Sequence, residues 1–293
     1  MTSLRQRMLE DMQIRNLAVN TQESYVQQVS LFARRFNQSP ERLGPEQIRT
    51  YQVYLTQEKK LATGSILIAI SALRFLYRVT LKKDWIFEDI LPAPKKPQTL
   101  PVVLSPEEVV QFLACVASRK HRAILTTCYG AGLRVSESIA LTPPAIDSKR
   151  MVLRVEQGKG MKDRYVMLST KLLEILREWW RVERPEHWLF PGDMPGQHIS
   201  RAAVEKECQV AQRICKIRKP ITPHSMRHAF AVHLLEQGTD VRTIQLLLGH
   251  RSLATTAKYL RIATSKVCST SSPLDLLPHP VALEVKPTPP PLF

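Results

Sequence analysis

Apolar and polar positions recur with helical spacing through the first ninety residues. Tyr25, Val29, Phe32 and Phe36 fall on one face of a helix. Asn20, with Glu23 three residues on, predicts a capping-box start for that helix. A second run, from about Thr63 to Val79, puts Ile66, Ile70, Leu73 and Tyr77 on a stripe with Arg74 and Arg78 beside it. The pattern predicts a small all-helical domain over residues 1–90. Residues 91–103 break the pattern: LPAPKKPQTLP has four prolines within eleven positions and the pair Lys95 and Lys96, which predicts an extended linker.

Ser105, Pro106 and Glu108 form a helix start, with serine as cap, proline in the first turn and glutamate reaching back. A second domain is predicted from here to residue 270. Within it, MVLRVE and RYVML are rich in β-formers and enclose QGKGMKD, whose glycines suit a turn. Helical patterns resume near Lys171 and run, with breaks, to Ala263. Seven of the 21 prolines then crowd residues 273–291, so residues 271–293 are expected to be a proline-rich tail. The expected fold is mainly α, with a small antiparallel β-sheet in the second of two domains.

Charge turns this architecture toward a polyanion. Lys and Arg total 42 against 26 acidic residues, a formal net charge of +16, and the excess is +6 up to residue 100 and +10 beyond it. Positive charge on both halves suits a long ligand such as a duplex better than a single basic arm does. Cys115, Cys128, Cys208, Cys215 and Cys268 are an odd, scattered set with no CxxC pair, which argues against a disulfide framework and a structural zinc site. The charged start and the lack of an apolar run near 20 residues predict no membrane segment and a cytoplasmic protein.

Four segments carry candidate chemistry. GAGLRVSE (130–137) turns closely and presents Arg134, with Glu137 one turn later; an arginine here could fork onto phosphate oxygens, or simply pair with Glu137. GKGMKDR (158–164) puts Lys159 between glycines at the hairpin tip, where it is either a reaching cation or a solvated turn lysine. TPHSMRHAFAVHLLEQGTD (222–240) starts a helix at Thr222 and Pro223 and places His224 and Arg227 on one face. His224 and His228 stand at zinc-helix spacing, but the HExxH glutamate is missing and no metal is expected. His228 and His233 lie among apolar neighbours and are read as hydrogen-bonded core residues. In LLLGHRSLATTAKYL (246–260), Gly249 ends a helix, Ser252 caps the next and Tyr259 lies two turns into it, where His250 could face the same pocket.

Together, Arg134, Lys159, His224, Arg227, His250 and Tyr259 resemble, in order and spacing, the catalytic signature of the tyrosine recombinase (phage integrase) family. The likeness covers residues 105–265 through motifs and the helical front half through general character, similar to a core-binding, SAM-like domain. It implies a two-domain DNA clamp and a site-specific recombinase or integrase. In that family Tyr259 would form a 3′-phosphotyrosyl bond, Arg134 and Arg227 would clamp the phosphate, and His224 and His250 would bond its developing charge. Lys159 would act as general acid, His224 would take the tyrosine proton and Glu137 would support the pocket.

Short Xer recombinases and mobile-element integrases look most similar, and the tail ending TPPPLF favours a mobile element. Chromosome-dimer resolution, a type IB topoisomerase and a non-cutting DNA-binding accessory protein are the alternatives. The resemblance implies double-stranded DNA as partner, a homotetramer on paired sites formed from free monomers, no cofactor, and a place near the nucleoid. Arg74, Arg78, Lys95 and Lys96 are expected to meet DNA, and the tail around Leu274, Leu276 and Leu277 to dock on a neighbouring protomer.

Overall fold

The computed structural model describes residues 2–90, 92–94, 102–156 and 163–262. Lys95, Lys96, Lys159 and the tail beyond residue 262, for which roles were expected, lie outside them. The chain divides into two compact units, Met1–Thr99 and Leu100–Phe293.

The first unit is helical: α1 (Ser3–Ile14), α2 (Val19–Phe36), α3 (Pro45–Val53), α4 (Thr63–Phe75) and α5 (Phe87–Ile90), with α3 and α4 each running on into a wide π turn. Helix α2 begins earlier than the Asn20 capping box predicts. The Ala18 carbonyl already accepts from the Thr21 and Gln22 amides at 2.8 and 3.1 Å, so Asn20 sits inside the first turn and no side chain caps it. At the other end Asn37 turns left-handed, with φ 49°.

The core is the predicted one. Phe32 meets Tyr51 and Tyr77 edge to face, at centroid separations of 5.0 and 6.4 Å, over buried Ile66, Ile70 and Leu73. The helical run Thr63–Thr80 is long and apolar enough to cross a bilayer, a length the sequence reading did not allow for. Its side chains nonetheless form the centre of this core, with Ile66, Ala69, Ile70, Ala72, Leu73, Leu76 and Tyr77 all buried.

The second unit contains α6 (Pro106–Ala114), α7 (Arg119–Gly130), α8 (Val135–Ile139), β1 (Ile146–Asp147), β2 (Val152–Val155), β3 (Arg164–Met167), α9 (Thr170–Glu183), α10 (Arg201–Cys215), α11 (Pro223–Glu236), α12 (Val241–Leu248) and α13 (Leu253–Ala257), then a 3-10 turn, Lys258–Arg261. Ser105 and Glu108 cap α6 reciprocally as their spacing predicts. The predicted hairpin is β2 and β3, antiparallel, with Val152 opposite Met167 and Val155 opposite Arg164, and β1 adds a third strand on the far side of β2. Leu153, Val155 and Val166 point inward and Tyr165 outward. Burying each inward side chain is worth roughly 1.5–3 kcal/mol. They pin the sheet to a core built from α7, α9 and α11, through Ile124, Leu125, Leu172, Met226 and Ala229.

Candidate active site

The site begins at the turn between α7 and α8. Gly132 adopts φ +63°, and a Cβ there would lie 2.4 Å from the Phe230 ring, so only glycine lets the turn close against α11. The chain then reaches Arg134 in extended backbone, as the residue preceding α8. Its amide donates to Glu137 Oε2 at 2.8 Å and its Nη1 to Glu137 Oε1 at 2.6 Å.

A second arginine grips the same carboxylate. Arg164, the first residue of β3, donates Nη1 to Glu137 Oε1 at 2.9 Å and Nη2 to Oε2 at 2.8 Å, while its Nε donates to the Leu247 carbonyl at 3.0 Å. The bidentate fork ties the hairpin to α8, and the Nε bond ties it to the end of α12. Gly249, at φ +62°, makes room for it: a Cβ there would stand 3.0 Å from Arg164 Cδ. Burial alone would raise the Glu137 carboxyl, but the bonds and charge of Arg164, and then of Arg134, bring it down from 4.5 to about 2.

Arg227, on α11, completes the cluster. It is fully buried and 3.6 Å from Glu137 Oε2, and it donates Nη1 to the Gly132 carbonyl at 2.7 Å and Nη2 to the Leu248 carbonyl at 2.5 Å. Its Nε is buried without a hydrogen-bond partner. Burial, followed by the charge of Arg134, lowers its guanidinium to about 10, so it stays positive at neutral pH. Three arginines thus surround one carboxylate, leaving net positive charge where the α7–α8 turn, β3 and the start of α11 meet. Arg134 keeps 21% of its side chain exposed, whereas Arg227 is enclosed.

The histidines stand beside this charge. Thr222 caps α11 as predicted, accepting from the Ser225 amide at 3.2 Å, and one turn in, His224 lies open to solvent with its ring 4.3 Å from that of His228. His224 makes no hydrogen bond to Tyr259. The imidazole that does so is His228, whose Nδ1 lies 2.8 Å from Tyr259 Oη. His228 is half-buried and hydrogen-bonded, as its apolar neighbours suggested, but its partner is the Tyr259 hydroxyl. His233 matches that description, with Nδ1 3.0 Å from Tyr129 Oη and Nε2 3.0 Å from the Leu104 carbonyl.

Gly249 and Ser252 end α12 and cap α13 as predicted. His250 Nδ1 lies 2.9 Å from Thr256 Oγ1, and its ring is parallel to that of Tyr259 within 17° at 6.5 Å. Buried Gln245 donates to the His250 carbonyl at 2.9 Å and fixes that turn. Desolvation in the pocket and the nearby charges lower all three imidazoles, His228 to about 4 and His250 to about 3. All three are neutral at pH 7. Tyr259 is only 4% exposed and lies in the 3-10 turn rather than two turns into α13. Burial raises its phenol, against the lowering effect of Arg227 and Arg134.

In the first unit Arg74 is half-buried, while exposed Arg78 shares a surface recess with Lys82 and Lys83.

The chain as a whole has relatives among known proteins. Residues 102–266 match the phage integrase family, and residues 4–86 match the family's N-terminal SAM-like domain. The chain belongs to the phage integrase family. It is 67% identical over 291 residues to y4qK of Sinorhizobium fredii, itself named as a candidate integrase/recombinase, covering 99% of this chain and 93% of that protein. Tyrosine recombinase XerD of Lacticaseibacillus casei is 33% identical over 266 residues, covering 85% of this chain and 90% of that one. Among solved structures, XerA recombinase is 27% identical with a TM-score of 0.53, covering 92% of this chain and 99% of that chain. XerH, solved bound to its difH substrate, shares the fold at a TM-score of 0.67, covering 88% of this chain and 80% of that chain. This phage integrase family member is a tyrosine-type site-specific recombinase, an enzyme that acts on DNA.

Proposed function

We propose that the pocket around Glu137 binds one scissile phosphate and that Tyr259 attacks it. The observation that carries this is the convergence of Arg134, Arg164 and Arg227 on a single carboxylate beside a buried tyrosine whose hydroxyl already meets an imidazole. A phosphodiester is anionic and its alkoxide leaving group is poor, so cleavage needs fixed positive charge, a placed nucleophile and a proton donor. Arg134 meets the nonbridging oxygens first. Arg227 joins it after a local opening, since it starts enclosed. His224 and His250 donate to the developing charge, Glu137 and Arg164 hold Arg134 in place, and Lys159 protonates the departing 5′ oxygen.

The new Tyr259 Oη–P bond replaces the P–O5′ bond, and a 5′-hydroxyl from a second strand later reverses the exchange. The bond energy is retained in the phosphotyrosine. Four copies work on two paired sites, assembled from monomers on DNA close to the nucleoid, and both units of each copy grip the duplex, with Arg74, Arg78, Lys95 and Lys96 on the backbone. The relatives named as integrases support a mobile element as the setting.

A suicide substrate, nicked so that the cleaved end diffuses away, traps the covalent complex; no trapped complex on any sequence from around the gene overturns the proposal. For the grip, neutralising about ten phosphates gives a slope near −9 for log affinity against log salt, and a slope near zero contradicts it.

A further inference from the structure

As the Tyr259 oxygen attacks phosphorus its proton must leave, and the one hydrogen-bond acceptor that touches this hydroxyl among the described residues is Nδ1 of His228, at 2.8 Å. The two rings lie 5.6 Å apart on elements that the sequence separates by 31 positions, brought together because Tyr259 packs into the apolar cluster of Phe230, Leu248 and Ile244 at the flank of α11. The competing imidazoles are placed otherwise. His250 commits Nδ1 to Thr256 and lays its ring parallel to the phenol, and the ring that His224 meets is that of His228.

We propose that His228 is a catalytic residue, the proton acceptor for Tyr259. This rests on the assignment of Tyr259 as nucleophile. In the cleavage step the Oη–P bond forms, the P–O5′ bond breaks, the phenolic proton passes to His228 Nδ1, and the 5′ oxygen takes a proton from the separate donor assigned to Lys159. In rejoining, the 5′-hydroxyl attacks and gives its proton to the donor assigned to Lys159, which lost one in cleavage; the O5′–P bond forms, the Oη–P bond breaks and the His228 imidazolium returns its proton to the tyrosine.

Accepting at Nδ1 requires the tautomer with its proton on Nε2. The charged and titratable groups around the ring are His224 and Arg227 on its own helix, Tyr259 from the 3-10 turn and His250 from the turn after α12. At rest, burial, His224 and Arg227 keep the imidazole neutral and therefore able to accept. A phosphate entering the pocket offsets the arginine charge that opposes protonation, so the proton affinity of His228 rises as the substrate arrives.

The test measures single-turnover cleavage of a suicide substrate by the full-length protein. His228→Gln keeps an oxygen that can accept a hydrogen bond but cannot take up a proton. Cleavage is expected to fall about 100-fold with DNA affinity unchanged. Trifluorotyrosine at position 259, a more acidic phenol, is expected to recover at least about tenfold of that loss, because less proton acceptance is then needed.

Cleavage by His228→Gln within about threefold of the unmodified rate overturns the proposal, as does a defect that the fluorinated phenol does not relieve, which would make His228 a packing residue. His228→Asn, read in the same way, decides the matter if the glutamine variant does not fold. Tyr259→Phe separates the two assignments: an adduct in that variant overturns the nucleophile, whereas no adduct there alongside normal cleavage by His228→Gln overturns the proton acceptor alone.

Discussion

Each unit of this chain buries a tyrosine, and their hydroxyls have different partners. In the first unit Tyr77 is fully buried and donates to the Pro40 carbonyl at 2.8 Å, with the Leu43 carbonyl 3.2 Å away. In the second, Tyr259 is buried almost as deeply, but its hydroxyl meets His228, and Arg227 and Arg134 act on it through their charge. Burial raises both phenols. Carbonyls cannot take up a proton or hold an anion, so Tyr77 is confined to joining the π turn after α4 to the Pro40–Leu43 segment between α2 and α3. An imidazole and a cluster of cations can do both, so chemistry at a buried tyrosine is decided by what its oxygen touches, not by its depth.

The sharpest way to break this contrast is to remove the carboxylate that organises the second unit. Glu137→Ala leaves buried Arg227 and nearly buried Arg164 facing each other without an anion. It is expected to cost about 3–5 kcal/mol in urea unfolding followed by tryptophan fluorescence, because three of the four tryptophans lie in that unit. A loss below about 1 kcal/mol would mean that the arginines do not depend on Glu137.

Arg134→Ala removes the partly exposed arm instead. It is expected to slow cleavage by about 100- to 1000-fold while changing stability far less, as measured by single-turnover adduct formation beside a thermal melt.

Acid sharpens the contrast further. Glu137, lowered from 4.5 to about 2, adds stability that is full above pH 4.5 and lost as pH falls toward 2, worth about 3 kcal/mol. His228 and His250, lowered from 6.5 to about 4 and 3, bind protons in the unfolded chain first, so stability starts to fall below pH 6.5. Both effects have the same sign. The second unit is expected to lose stability steadily from pH 6.5 downward in urea titrations, and a flat profile between pH 6.5 and 4 would contradict the neutral imidazoles. The tyrosines shifted in the first unit, Tyr51 and Tyr77, titrate on the alkaline side.

The smallest expected effect belongs to Tyr77→Phe. It removes one buried hydrogen bond, costs about 1 kcal/mol and leaves adduct formation intact; altered cleavage chemistry in that variant would break the contrast from the other side.

Much of this was legible in residue order. The apolar stripe of α4, the Ser105 and Thr222 caps, the β2–β3 hairpin and the turn at Gly249 all follow from local spacing. Five of the six proposed catalytic side chains, Arg134, His224, Arg227, His250 and Tyr259, fall within the described residues of the second unit, and all five adjoin one charged cluster. What spacing did not reveal was which group touches which. His228 is screened by apolar neighbours on its own helix, and its contact with Tyr259 depends on packing between α11 and a turn 31 residues away.

Arg164 did leave a trace: strand alternation puts it on the same face as buried Val166, and an inward-facing cation needs an anionic partner. The start of α2 at Val19 was hidden because a backbone carbonyl, not a side chain, closes its first turn. Tyr259 lies in a 3-10 turn because α13 ends at Ala257, a tightening that local propensity does not report.

The central claim is that Tyr259 becomes joined to DNA. The most direct measurement is mass mapping of the nucleotide-bearing peptide after the full-length protein is trapped on a suicide substrate and digested. The adduct is expected on the peptide containing Tyr259 and is expected to vanish in Tyr259→Phe while DNA binding persists. An adduct on exposed Tyr165 or any other residue, or one that survives in Tyr259→Phe, would contradict the account.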